Sequence, residues 1–273
     1  LISPEFQNGQ KMRGLKDKVI ILTGGAGGLG QAIAIRLVEE KACPILVDNN
    51  TRALNNINKN QLLSDVLCLD GDITKPDFVR MIMGEAVEKY GKIDGLVNSA
   101  AILMPDDDDI TQTPLTSWLK TLETNLTSVF LTCQAALPHL AKQGGAIVNL
   151  SSVVAHAASA SSQIAYTTAK GGVEALTKEI AISHARHNIR ANCVAPGPVK
   201  TDRTAHYFED AEKWATRRRH IPMGRLGTPD EIAGLVCFLL SDDAGYITGA
   251  SYLADGGISN AYVVNDINGQ ETP

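Results

Sequence analysis

The chain has 273 residues, 44% hydrophobic and 20% charged, enough to bury a substantial core without disulfide or metal staples, as one large domain or two small ones. A net charge of −5 argues against broad electrostatic binding to nucleic acid, and no apolar run approaches the ~20 residues of a membrane span. Five scattered cysteines without a C-x-x-C pair read as buried reduced thiols, so a reduced cytoplasmic setting is expected.

Residues 1–14 read as an N-terminal extension. The stretch 1–12 lacks the apolar core of a signal peptide, and Ser3-Pro4-Glu5-Phe6 resembles a cloning remnant ahead of Met12 as the natural start. Strands are then expected at 19–23, 45–48, 66–69, 93–98, 146–150, 189–195 and 250–253. Helices are expected at 28–40 and 76–90, as one long element from about Leu115 to Leu137, at 165–186, and from Thr228-Pro229-Asp230-Glu231 onward. The strands are apolar along their length rather than alternating, as when helices cover both faces of a sheet. Alternation of strand and helix with right-handed crossovers predicts an α/β fold. Its form is a doubly wound, Rossmann-type parallel sheet of about seven strands, a single domain over 15–258. The extension 259–273 either orders across a subunit interface or stays without order. The run Asp106 to Asp109 reads as a solvated loop after the fourth strand, with attraction of a cation as the other option.

The first strand–helix junction carries Thr23-Gly24-Gly25-Ala26-Gly27-Gly28-Leu29-Gly30. Glycines there let the backbone turn sharply and approach a pyrophosphate at a helix N-terminus, whose unpaired N–H groups and partial positive charge favour an anion. Two registers fit: Gly25, Gly27 and Gly30 as G-x-G-x-x-G, or Thr23, Gly24, Gly28 and Gly30 as T-G-x-x-x-G-x-G. Asp48 ends the second strand, where a carboxylate accepts hydrogen bonds from the adenosine ribose hydroxyls and repels a 2′-phosphate. No Lys or Arg occurs in the glycine loop or at Asn49-Asn50, so NAD is favoured over NADP. Asp72, in Gly71-Asp72-Ile73-Thr74, is placed to meet the adenine and equally to cap the next helix.

Tyr166 and Lys170 are four residues apart and share a helix face, so phenol and ammonium point into one cleft. A free tyrosine, with a pKa of about 10, is a poor base at neutral pH. A neighbouring lysine charge stabilises the phenolate and makes proton exchange with an alcohol feasible. Ser152, at the end of the fifth strand, is placed to hydrogen-bond the reacting oxygen, with Ser151 as a lesser candidate.

Taken together these motifs resemble the short-chain dehydrogenase/reductase family, over about Leu15 to Gly257. The resemblance rests on the glycine loop, Gly71-Asp72-Ile73, Asn98, Asn125, Ser151-Ser152, Tyr166 with Lys170, Pro196-Gly197-Pro198-Val199-Lys200-Thr201, and the stretch from Gly224-Arg225-Leu226-Gly227 to Asp255-Gly256-Gly257. It implies that Tyr166 is the general acid/base, that Ser152 polarises the carbonyl, and that Lys170 lowers the tyrosine pKa and binds the nicotinamide ribose. It further implies that Asn125 holds a water linking Lys170 to a proton relay, and that Val199 and Thr201 contact the carboxamide. Pro196 and Gly197 would line the cofactor site, with Asn98 fixing the strand beside it. A homotetramer through the two long helices and the last strand is implied as well. Two departures stand out: Asn98-Ser99-Ala100-Ala101 replaces the usual Asn-Asn-Ala-Gly, and the serine–tyrosine separation is one residue longer than the common one.

On the substrate side, His156 lies between Ser152 and Tyr166, placed to line a pocket or to make a structural contact. Tyr207, Phe208 and Trp214 offer an apolar wall in the segment 202–221. Arg203 and Arg217 to Arg219 offer positive charge for an anionic substrate or a solvated helix face. His139, His184 and His187 read as helix-surface residues, and no metal-ligand spacing occurs. The expected activity is reversible hydride transfer between NAD and a secondary alcohol or ketone, such as a sugar, polyol or other small hydroxy compound. A 3-oxoacyl-thioester reductase is the enzymatic alternative, and a non-catalytic dinucleotide sensor or scaffold the alternative of another class.

Overall fold

A computed structural model describes residues 12–57, 59–159, 161–201, 204, 210, 214–215 and 218–261. Its strands are β1 (Val19–Thr23), β2 (Cys43–Asp48), β3 (Leu67–Asp70), β4 (Gly95–Asn98), β5 (Gly145–Leu150), β6 (Ile189–Pro196) and β7 (Ser251–Ala254). They form a seven-stranded sheet in the order β3-β2-β1-β4-β5-β6-β7, with every pairing parallel. The helices are α1 (Gly28–Glu39), α2 (Thr51–Ile57), α3 (Pro76–Tyr90), α4 (Leu115–Leu122), α5 (Ser128–Leu140), α6 (Ile164–His184) and α7 (Pro229–Leu240). Among the described residues no helix is long and apolar enough to cross a membrane.

β1, Val-Ile-Ile-Leu-Thr, is buried at every position because helices cover both faces of the sheet. Successive side chains point to opposite faces, which divides the core in two. Ile20 and Leu22 pack with Ile33, Leu37, Val236 and Leu240 under α1 and α7. Val19 and Ile21 pack with Ile82, Met83, Cys133 and Val173 under α3, α5 and α6.

Local chemistry sets the element ends. Pro76 begins α3, where its missing N–H costs nothing, and Gly91 ends it at φ 76°, donating to Val87 O. α7 opens with a reciprocal capping box. Glu231 N donates to Thr228 Oγ1 at 3.3 Å, and Thr228 N donates to Glu231 Oε2 at 2.8 Å. Hydrogen bonding from Arg225 and this cap hold the Glu231 carboxyl down at about 2.

Three of the cysteines match the expectation of buried thiols. Burial pushes Cys133, Cys193 and Cys237 up to about 12, so they are neutral at ordinary pH. Cys43 and Cys68 are only partly buried, on the two strands at the β3 side of the sheet.

The long helical element expected from Leu115 runs without a break to Leu140, with one π-helical turn inside it. α4 runs into a π-helical turn, Glu123–Thr127, which then runs into α5. Asn125 sits fully buried within that turn.

Candidate active site

All strands run the same way, so their carboxyl ends share one edge. The chain builds outward from β1 to β3, then crosses back to place β4 on the other side of β1. At such a reversal the loops diverge and leave a crevice. A cleft of about 530 Å³ occupies it, lined by the glycine loop, Asp48, Asp72, Ile73, Ser152, Tyr166, Lys170 and the 196–201 segment.

The glycine loop is pinned to β2. Gly25 N donates to Val47 O at 3.1 Å and Ala26 N to Asp48 Oδ2 at 3.0 Å. The other carboxylate oxygen, Asp48 Oδ1, accepts from Asn50 N at 3.0 Å, so the side chain is held at the lip of the cleft. No side chain caps the N-terminus of α1, in contrast to the full box on α7. Across the cleft, a methyl group on Gly28 would lie 3.2 Å from the Thr201 side chain. Thr201 is fixed in turn by Thr204, whose hydroxyl accepts from Thr201 N at 2.9 Å and donates to Val199 O at 2.7 Å. An uncapped helix end, a glycine turn without side-chain bulk and a fixed carboxylate beyond it together fit a dinucleotide.

Asp72 does not cap α3, whose N-cap residue is Lys75. Its Oδ1 accepts from Thr74 N at 2.9 Å, and it faces the cleft. Burial opposes its charge, but hydrogen bonds from Thr74 and the charges of Lys75 and Lys120 outweigh that and lower its pKa.

α6 and the loop after β5 carry the residues expected to react. Lys170 is buried, donates from Nζ to Leu150 O at 2.6 Å, and stands 5.6 Å from the centroid of the Tyr166 ring. The two adjacent serines separate by partner. Ser151 Oγ is buried and donates to Lys170 O at 3.2 Å, whereas Ser152 is half-buried in the cleft wall and accepts from Val154 N at 3.4 Å.

In the acidic run Asp106, Asp108 and Asp109 are exposed, as a solvated loop requires, and Asp107 alone of the four departs from that reading. Asp107 is buried, and its carboxylate receives Ala165 N and Tyr166 N at 2.9 Å each, at the start of α6. Sequence spacing gave no sign of this, because the partners are 58 and 59 residues apart.

Three expected site residues stand outside the cleft lining. Asn98 is buried at the end of β4, donating to Asn149 Oδ1 at 2.9 Å and accepting from Thr132 Oγ1 at 2.8 Å. That network fixes β4 to β5 and α5. Both side-chain polar atoms of Asn125 bond the backbone of Ile102, each at 2.8 Å, which ties the π-helical turn to the loop after β4. His156 turns away from the cleft: its Nε2 lies 2.8 Å from Glu174 Oε1, which also accepts from Ser251 Oγ at 2.8 Å. Of the two readings of His156, pocket lining and structural contact, the structure shows the contact, which joins the β5 loop, α6 and β7.

Ile102 and Lys120 line the cleft and were not singled out from sequence. Ile102 follows the Asn98-Ser99-Ala100-Ala101 segment directly, which was the available signal. Tyr207, Phe208, Arg203 and Arg217 lie outside the described residues.

These features define a dinucleotide-binding sheet with a serine, a tyrosine and a lysine converging at its switch point. The sequence matches the family profile described as enoyl-(acyl carrier protein) reductase over residues 24–259. It is 35% identical over 252 residues to a 3-oxoacyl-[acyl-carrier-protein] reductase of Thermotoga maritima, covering 89% of this chain and 98% of that one. It is 34% identical to an L-rhamnose 1-dehydrogenase (NAD(P)(+)) of Azotobacter vinelandii, covering 89% and 97%. The crystal structure of levodione reductase superimposes with a TM-score of 0.82 at 33% identity, covering 90% and 99%. The chain belongs to the short-chain dehydrogenase/reductase family of oxidoreductases, whose members use nicotinamide dinucleotides.

Proposed function

We propose that the protein is an NAD-dependent dehydrogenase that interconverts a secondary alcohol and its ketone. The observation that carries this reading is the meeting of Ser152, Tyr166 and Lys170 in one cleft with the glycine loop and Asp48. When bound, the nicotinamide ring supplies the hydride acceptor or donor, chemistry that no side chain offers. The phosphates would rest at the first turn of α1, and the adenosine ribose hydroxyls at Asp48. Val199, Thr201, Pro196 and Gly197 would enclose the nicotinamide end, and Asp72 with Ile73 the adenine.

Within that frame the chain's own groups manage the proton. Ser152 donates a hydrogen bond to the reacting oxygen, and Tyr166 exchanges the hydroxyl proton at Oη. Lys170, buried beside the ring, favours the phenolate through its charge. Asn125 holds the loop at Ile102 and has one N–H and one lone pair left for a water.

The Thermotoga relative, by its name, reduces a 3-oxoacyl thioester, and this remains the second reading for the same site. One assay separates the two: absorbance of reduced nicotinamide over a panel of secondary alcohols, sugars and polyols, with 3-oxoacyl thioesters in the reductive direction, each with the NAD and NADP pairs. Turnover of alcohols with NAD is expected; preference for a thioester with reduced NADP overturns the first reading. Asp48→Ala is expected to cut NAD efficiency about 30-fold, since hydrogen bonds to a charged group contribute about 2 kcal/mol. The same change lifts the repulsion that disfavours NADP, so the NAD/NADP ratio in kcat/KM falls further. An unchanged ratio would remove Asp48 from the argument.

We also propose a homotetramer. Leu115, Leu119, Phe130 and Ile182 project into solvent from α4, α5 and α6 at 69%, 56%, 46% and 76% exposure. Such side chains on adjoining helices favour burial against another copy. Light scattering is expected to return about four times the 29.1 kDa chain mass, and a monomer would refute this.

A further inference from the structure

We propose that Asp107 is a positioning residue for Tyr166: reaching in from the loop after β4, its carboxylate caps the catalytic helix and sets both where the phenol stands and how readily it ionises. The inference rests on the reading of Tyr166 as the acid–base group and adds a residue that this reading did not contain.

α6 does not cap itself. Its N-cap residue, Gln163, has φ −158° and makes no side-chain hydrogen bond to the helix end. The first-turn amides are served instead by the loop after β4. Asp107 Oδ1 accepts from Ala165 N and Oδ2 from Tyr166 N, both at 2.9 Å, while Asp108 O accepts from Ile164 N at 3.2 Å. Three consecutive amides, including that of the tyrosine itself, are therefore anchored to one distant loop. A helix end buried without such partners would leave orphan donors. Here an ionised acceptor takes two of them, the stronger kind of hydrogen bond.

The loop is built to hold this position. Asp107 N donates to Met104 O at 3.2 Å, Asp108 N to Thr113 Oγ1 at 2.9 Å, and Thr111 N to Asp109 Oδ1 at 2.7 Å. Nearer β4, Asn125 clamps Ile102, which lines the cleft. One loop thus runs from the cleft wall to the backbone of Tyr166, fastened at both ends.

The charge has a second effect. The partial positive charge of a helix N-terminus favours a phenolate in the first turn, and so does Lys170 one turn on. The Asp107 carboxylate, bonded to the Tyr166 amide, opposes both. The other ionisable groups around it are Asp106 and Asp108 in the same loop, Lys120 on α4, which lines the same cleft, and Glu174 on α6, which is engaged by His156 and Ser251. Tyr166 then ionises where the pull of Lys170 is tempered by Asp107.

The test uses the full-length chain without substrate. Phenolate absorbance is titrated in wild type, Asp107→Asn and Asp107→Ser, with Tyr166 isolated from the six tyrosines by subtracting Tyr166→Phe. Hydrogen exchange is followed at the Ala165 and Tyr166 amides. In Asp107→Asn the Tyr166 ionisation is expected to fall by about half a unit, as loss of a nearby like charge requires. The amide left facing the asparagine NH2 is expected to exchange roughly tenfold faster, the effect of losing its cap acceptor, while the amide facing Oδ1 changes little. Asp107→Ser, one bond shorter and with a single neutral acceptor, should speed exchange at both amides while leaving the titration shifted, and it serves if the asparagine variant fails to fold. Exchange at wild-type rates in both variants, or an unmoved Tyr166 titration, overturns the proposal. Silence in the alcohol assay would count against the enzymatic reading alone, because neither readout here needs turnover.

Discussion

Replacing Tyr166 by phenylalanine is expected to lower kcat by about 10³-fold or more while leaving NAD affinity within about twofold, since a positioned general acid–base group contributes 10²–10⁴. The change keeps the ring and removes one oxygen. α6 retains its cap, because Asp107 holds the Tyr166 backbone amide rather than its side chain. Lys170 keeps its hydrogen bond to Leu150 O, so no buried charge loses that partner. This contrasts with Lys170→Ala, which removes an ammonium from a buried site and strips Leu150 O of its donor; there stability and rate would fall together. Steady-state rates on the best alcohol, with NAD binding by calorimetry, check the phenylalanine variant. Retained turnover with intact binding would show that the proton leaves by another route, and the dehydrogenase mechanism assigned to Tyr166 would fall.

The sequence made the frame of this site readable because the frame depends on local rules. Apolar β-branched runs such as Val19–Thr23 can be little other than buried strands. Glycine at a strand–helix junction, a carboxylate at the next strand end, and tyrosine and lysine one helical turn apart each follow from short-range geometry. The parts that stayed hidden depend on partners far away in the chain. The Asp106 to Asp109 run reads as solvated by composition, yet Asp107 is buried against α6 because a helix begun by Gln163 supplies no cap of its own. His156, between Ser152 and Tyr166 in sequence, is drawn to the carboxylate of Glu174, one helical turn beyond Lys170 on α6. The π-helical turn at Glu123–Thr127 has no signature in a 3.6-residue pattern, since it widens one turn without changing which residues are apolar. α2 escaped for a simpler reason: it is seven residues long, with only Leu54 and Ile57 buried.

The glycine loop, which fits two registers in the sequence, differs from position to position in how much side chain it tolerates, and this yields the second large effect. A methyl group on Gly30 would lie 2.1 Å from Gly24 O and 2.8 Å from Gly25 Cα, both backbone atoms that cannot swing aside. Gly24 itself sits at φ +68°, and a methyl group there would meet Ala100 N at 2.6 Å. The loop cannot relax readily, because Gly25 N is bonded to Val47 O and Ala26 N to Asp48. A methyl group on Gly27 would meet only Gly24 O, at an ordinary 3.4 Å. The demanding positions are therefore Gly24, Gly30 and also Gly25, where a methyl group would meet Leu46 Cβ at 2.9 Å. Gly28 follows, at 3.2 Å from the Thr201 side chain, and Gly27 alone among the five keeps the fold without need of its missing side chain. Gly30→Ala is expected to destabilise the protein by about 3 kcal/mol, the upper end of overpacking costs. It should also abolish measurable dinucleotide binding, because α1 must move off the loop that presents its N-terminus. Gly27→Ala should stay within about 1 kcal/mol of wild type, as an unstrained N-cap substitution does. Denaturant unfolding of both variants, with NAD titration of Gly30→Ala, checks the pair. Equal stability losses would mean that the loop yields as a whole, and the steric ranking of Gly30 above Gly27 would be lost.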